Sequence, residues 1–235
     1  MIVRDKKHFR LGVFLTLGFF IILALMFMPL YGGVNAFHAS DNLFNSISKD
    51  STYKIPGLLD ELDSRQAQEV DLALKFKNAD KAEYAATIAQ KSGFSAAKEG
   101  NTIQFKAKLN SLVTEVLEDS DNMFHNKGSV VQNKYQMDPE KALYGWWLLF
   151  KAMETELKVQ KEFSTAKFVN AVITQGIEVG YNFYGIDSTP ATSRAGILIF
   201  ALVFYVVYTI WWGFAIFYVF EGLGLAMTKG KRKEV

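Results

Sequence analysis

Two long apolar segments bracket the chain, and each carries a cluster of basic residues on its outer flank. Leu11 to Phe37 holds no Asp, Glu, Lys, Arg or His, and neither does Ala195 to Phe220. Each exceeds the roughly 20 apolar residues that an α-helix needs to cross about 30 Å of hydrocarbon. A chain built this way is expected to be a two-span membrane protein with everything between the spans on one side.

The flanks set the expected orientation. Arg4, Lys6, Lys7 and Arg10 precede the first segment, and Lys229, Lys231, Arg232 and Lys233 follow the second. Lys and Arg are retained on the cytoplasmic side. Both termini are therefore expected in the cytoplasm, the spans in a bacterial inner membrane, and residues 38–194 in the periplasm. The expected division is a basic tail over 1–10, a transmembrane helix over 11–37, an extracytoplasmic helical domain over 38–194, a second transmembrane helix over 195–227 and a second basic tail over 228–235. Charge obeys the same division. Eight of the 26 Lys and Arg lie in the tails, while only Asp5, Glu221 and Glu234 of the 24 Asp and Glu lie outside the central stretch, which is therefore net acidic. Basic tails favour anionic lipid. They are too short to form a nucleic-acid-binding fold, so membrane lipid is an expected partner and nucleic acid is not.

A signal peptide is the rival reading of the first segment, because Val34-Asn35-Ala36 offers a small-residue cleavage pattern. The apolar stretch is far longer than a signal-peptide core of about 7–15 residues, which favours an uncleaved anchor. The chain has no Cys. That excludes thiol catalysis, haem attachment through paired Cys and thiolate metal or iron–sulfur sites. A central domain of about 157 residues is large enough to bury a core without disulfides.

The fold class expected is mainly α: two transmembrane helices flanking an extracytoplasmic helical bundle with a small inserted β-hairpin. Pro56 opens a helix whose apolar spacing through Leu58, Leu62, Val70 and Leu74 predicts continuation to about Lys77. Asp80 is placed to cap a second helix, ending near Gly93. Ile103, Phe105 and Ala107 alternate with polar residues, so 94–98 and 102–107 read as a hairpin about Glu99-Gly100-Asn101. Leu109, Leu112, Val113, Val116 and Leu117 make one stripe of a third helix. His125 to Gln136 reads as a polar loop. Asp138-Pro139 starts the next helix, with Asp as cap and Pro in the first turn. Ser164 starts the last, which runs to about Tyr181.

Three groups of residues are candidates for chemistry or contact. Glu118, Asp121 and His125 recur at helical intervals and so share one face, a carboxylate–imidazole set suited to Zn²⁺ or a similar ion. The apolar stripe lies on the opposite side, so a solvated face is the competing reading. Trp146 and Trp147 follow Gly145 in an apolar helix, either as a flat platform for a ligand or lipid or as core. In the second span Tyr208, Trp211 and Trp212 fall near the middle, where N–H and O–H groups need partners. Gly12 and Gly18 give the first span small positions for close helix approach. These five residues are expected to serve membrane-helix packing.

No Walker loop, nucleophile elbow, HExxH or EF-hand loop is present in the sequence. The span–helical domain–span layout resembles the sensor half of chemoreceptors and histidine kinases, in layout and in no motif. The function expected is a non-catalytic, membrane-anchored accessory or scaffold subunit of an inner-membrane assembly, partnered by other membrane-protein subunits or by itself, with no cofactor and no enzymatic activity. The alternative is an extracytoplasmic module that binds a ligand, lipid or metal and modulates a membrane partner.

Overall fold

Leu11 to Phe37 does not form one helix. In the computed structural model, which describes residues 3–65 and 68–225, helix α1 covers Lys6–Phe27 and stops at Met28, whose backbone is extended. Met28 precedes Pro29, and the proline ring disfavours the helical conformation of the residue before it. Gly32 and Gly33 then adopt positive φ (67° and 88°) in a tight reversal bridged from Tyr31 to Val34. Only glycine takes up two such φ values in succession at little cost. Helix α2 (Ala36–Thr52) comes next, with the Asn35 side chain accepting from His38 N–H at 2.9 Å. The expected span over 11–37 is thus corrected to an apolar helix ending at Phe27, a turn, and the start of a second helix.

The remaining helices are α3 (Ile55–Asp63), α4 (Ala79–Lys91), α5 (Leu109–Phe124), α6 (Gly128–Tyr135), α7 (Pro139–Val159), α8 (Phe163–Val172), α9 (Glu178–Asn182) and α10 (Ala195–Gly222). The strands are β1 (Glu69–Lys75), β2 (Ser95–Glu99) and β3 (Thr102–Lys108). With 71% of the structure helical and one small antiparallel sheet, the fold is mainly α. The chain divides into two compact units, residues 1–44 with 189–235 and residues 45–188. The expected tail over 228–235 lies outside the described residues.

The first unit is built on the antiparallel pair α1 and α10. Both helices are long and apolar enough to cross a membrane. At 1.5 Å per residue, α1 spans about 33 Å. Gly12 permits the close approach: a Cβ there would lie 2.5 Å from the backbone nitrogen of Val219. Gly222 does the same against Phe9, and its carbonyl accepts from the N–H groups of Arg4 and Asp5 at 2.9 and 3.0 Å.

The second unit packs helices on one face of the sheet. Strand order is β1-β3-β2, with β3 antiparallel to both neighbours. Val70, Leu72 and Leu74 face Ala107, Phe105 and Ile103 across the ladder, and all six are buried. Glu69, Asp71 and Lys75 point outward, and Asp71 lies 3.8 Å from Lys106. The inserted hairpin is therefore a three-stranded sheet, and the helix expected to continue to Lys77 ends at Asp63. The run Glu-Val-Asp-Leu-Ala-Leu-Lys has a period of two, which aligns one apolar face with β3.

Helix α7 runs through the core and buries Leu143, Trp146, Leu149, Phe150, Met153 and Leu157. Asp138 caps it, accepting from Lys141 N–H at 3.1 Å. Asn78, and not Asp80, caps α4. The segment expected as a polar loop contains α6, which buries Val131 and Tyr135. Between α8 and α9 the helix widens into a π turn over Ile173–Ile177. Gly176 and Gly180 bring this helix against α5; a Cβ on Gly180 would lie 2.7 Å from the Ser120 carbonyl oxygen.

Candidate functional site

The residues around Trp147 form a hollow of about 410 Å³. Helix α7 supplies Leu143, Tyr144 and Trp147; Trp147 comes four residues after Leu143 and three after Tyr144, which makes it a surface neighbour of both. The opposite wall is the segment at the end of the π turn and just beyond it: Ile177, Glu178, Tyr181 and Asn182. A π turn adds one residue to the helical repeat and so re-aims the side chains beyond it, and such turns recur at functional sites. Here it precedes the residues that complete the hollow.

The chemistry of this hollow is aromatic and anionic. Trp147 Nε1 donates to Glu178 Oε1 at 2.9 Å. The Tyr144 and Trp147 rings lie nearly parallel, 6.0 Å apart at 12°. Tyr181 is 42% exposed at the mouth. No Lys, Arg or His among the described residues forms an ion pair with Glu178. An adjoining hollow shares Tyr144 and Tyr181 and adds Asp138, Glu140 and Lys141.

Trp146 has a different role. It is fully buried, and its Nε1 donates to Asp119 Oδ2 at 2.8 Å. The two-Trp platform is therefore corrected to one half-buried Trp147 at the hollow and one core Trp146.

Asp119 is 1% exposed. It also accepts from Tyr135 Oη (2.5 Å) and Lys134 Nζ (2.6 Å), and Tyr135 Oη lies 2.9 Å from Ser92 Oγ. This network ties α4, α5, α6 and α7 together. Burial, with the Asp119 charge, raises the Tyr135 phenol and keeps it neutral. Burial works against the Lys134 ammonium, but its bonds to Asp119 and Glu115 outweigh that and raise it. By residue type alone Asp119 pairs with Asp121 on a solvated face. The telling signal is positional: Asp119 comes three residues after Val116 and seven after Leu112, which puts it on the apolar stripe.

The expected metal set is not assembled. Asp121 and His125 meet, with His125 Nδ1 3.0 Å from the Asp121 carbonyl oxygen and 3.2 Å from its Oδ1, while Glu118 is exposed. No group of three or more His, Cys, Asp or Glu among the described residues is placed to hold a metal ion. Asp121 instead accepts from Tyr53 Oη at 2.5 Å. Burial, and after it this bond, pushes the Tyr53 phenol up to about 12.

A second hollow, about 370 Å³, is lined by Lys49, Asp50, Tyr53, Phe124, His125, Asn126 and Ser188. Lys49 is 3% exposed, an unusual place for an ammonium group. Its Nζ donates to the carbonyls of Phe183 (3.0 Å) and Ile186 (2.5 Å) and to Asn126 Oδ1 (3.3 Å), and it lies 4.9 Å from the Phe124 ring centroid. Burial lowers its pKa, with Asp187 opposing. Nothing in the local sequence singles out Lys49, because its acceptors, the Asn126 side chain and the Phe183 and Ile186 carbonyls, are all far away in the chain.

The five packing residues are brought together between α1 and α10. Tyr208 Oη donates to the Phe19 carbonyl at 2.9 Å, and Trp211 Nε1 donates to the Leu15 carbonyl at 3.0 Å. Phe19 stacks on Tyr208 at 4.1 Å and lies tilted against Trp212 at 4.5 Å and 32°. Trp211 also covers Gly18, where a Cβ would lie 2.9 Å from its Cζ2. Glu221 Oε2 lies 3.9 Å from His8 Nδ1.

Compared with known proteins, no family model matches the chain, and no curated protein or solved structure matches it significantly.

Proposed function

We propose that this chain is a non-catalytic, membrane-anchored accessory or scaffold subunit of a bacterial inner-membrane assembly. In this reading α1 and α10 cross the membrane as a pair, both termini are cytoplasmic, and residues 45–188 form an extracytoplasmic domain. The observation that carries it is the α1–α10 contact. Indole and phenol groups in the middle of an apolar helix are costly in lipid unless bonded. Here they bond to backbone carbonyls of the other apolar helix. The outward faces, including Phe14, Leu17, Phe200, Leu202 and Tyr205, remain apolar and exposed, as lipid or neighbouring helices require. The basic residues before α1 support the orientation.

The test is extraction into native nanodiscs, then mass determination and identification of what co-purifies. A stoichiometric partner, or a defined homo-oligomer, is the expected result. A monomer carrying only lipid contradicts the reading.

The hollow at Trp147 favours a second reading, that the domain also binds a small ligand and modulates its partner. Its volume lies within the usual range for ligand sites, and it combines apolar walls with one fixed polar group, Glu178.

A further inference from the structure

We infer that the Trp147 hollow is a site for a small, freely diffusing organic cation with an alkylated ammonium head; this rests on the second reading above. Four observations converge on that chemistry. The walls present three aromatic rings, Tyr144, Trp147 and Tyr181, and the negative face of a π system attracts a cation within about 6 Å. Glu178 places a carboxylate on the wall opposite Trp147, held by the indole N–H. No basic side chain among the described residues pairs with that carboxylate, which leaves it open to a cationic ligand. The adjoining hollow adds Asp138 and Glu140 against the single Lys141, which keeps the approach net acidic.

Competing ligands fit less well. An anion would be repelled at short range by the Glu178 carboxylate. A neutral sugar would stack on the rings but leave that carboxylate without a counter-charge. A metal ion would find only one carboxylate and no imidazole among the lining residues. A methylated ammonium suits the site because its charge is spread over apolar groups. It loses little hydration on entry and gains from both the rings and Glu178.

The test uses the full chain in nanodiscs of phosphatidylglycerol and phosphatidylethanolamine, which carry no choline. Choline is titrated by calorimetry and by tryptophan fluorescence, alongside 3,3-dimethyl-1-butanol, its uncharged isostere. Choline is expected to bind at least about tenfold more tightly than the alcohol. Glu178→Gln retains an oxygen that accepts from the indole and removes the charge. It is expected to reduce that preference severalfold, the rings keeping the remainder, while leaving the thermal midpoint unchanged. Tyr181→Ala, at the exposed mouth, is expected to weaken choline severalfold. Equal binding of choline and the alcohol, or a preference undiminished in Glu178→Gln, overturns the cation assignment and leaves a ligand hollow in place. No binding of either compound removes both the assignment and the second reading.

Discussion

At the scale of single residues the strongest structural commitment is Asp119. A carboxylate that is 1% exposed and bonded to a phenol, an indole and an ammonium is costly to remove, because its partners stay behind unpaired. Asp119→Ala is expected to destabilise residues 45–188 by about 3–5 kcal/mol, and Trp146→Phe by about 1–2 kcal/mol, by denaturant titration of tryptophan fluorescence. Near-equal effects would mean that the network is not centred on the carboxylate. Tyr53 sets a pH dependence. Its phenol titrates near 10 when unfolded and at about 12 in the fold. A raised folded value stabilises the protonated form, so the contribution is complete below about pH 10 and is lost between about 10 and 12. Tyr53→Phe is expected to flatten the decline of the thermal midpoint across that window. Little of this is legible in sequence. Trp147 and the Asp121–His125 pair stand out by residue type and spacing. Glu178, Tyr135 and Lys49 look ordinary until the fold brings their partners to them.

At the scale of elements, legibility tracks the length of the periodic run. Helices α5, α7 and α10 carry sustained apolar patterns, and α7 a marked start at Asp138-Pro139, so their positions are readable. Strand β1 is short, and Val70, Ala73 and Leu74 also satisfy helical spacing when Leu72 is overlooked. What decides for a strand is pairing with β3, a contact that local sequence does not contain. Leu72→Ala is expected to cost about 2–4 kcal/mol, because the side chain is buried against Phe105. Ala73→Ser, on the other face, should stay within about 0.5 kcal/mol. Equal costs would refute the alternation. The helix containing the π turn makes a similar comparison possible. A Cβ at Gly176 meets the flexible end of Leu117, whereas one at Gly180 meets the Ser120 backbone. Gly180→Ala is therefore expected to destabilise by about 1–3 kcal/mol and more than Gly176→Ala, measured in the same titration. The segment from Phe183 to Ile186 is anchored by the Lys49 ammonium and Asn126. Lys49→Met removes the donor to two of its carbonyls and is expected to raise amide hydrogen exchange there while leaving α7 protected.

At the scale of the whole molecule the proposed function depends on α1 and α10 spanning the bilayer as a pair. The apolar composition of both segments is plain in the sequence, yet the break at Met28-Pro29 and the mutual use of Tyr208, Trp211 and Gly12 emerge only from the fold. These aromatics serve contacts within the chain, so Trp211→Ala with Trp212→Ala is expected to loosen the helix pair itself, whatever the partner. The chain has no Cys, which makes single introduced thiols unambiguous reporters of side. The decisive measurement is labelling of Glu99→Cys and of Lys6→Cys by a membrane-impermeant maleimide in spheroplasts. Glu99→Cys is expected to label in intact spheroplasts and Lys6→Cys only after permeabilisation. Labelling of both before permeabilisation, or the reverse order, would contradict the two-span arrangement with its domain outside the cytoplasm.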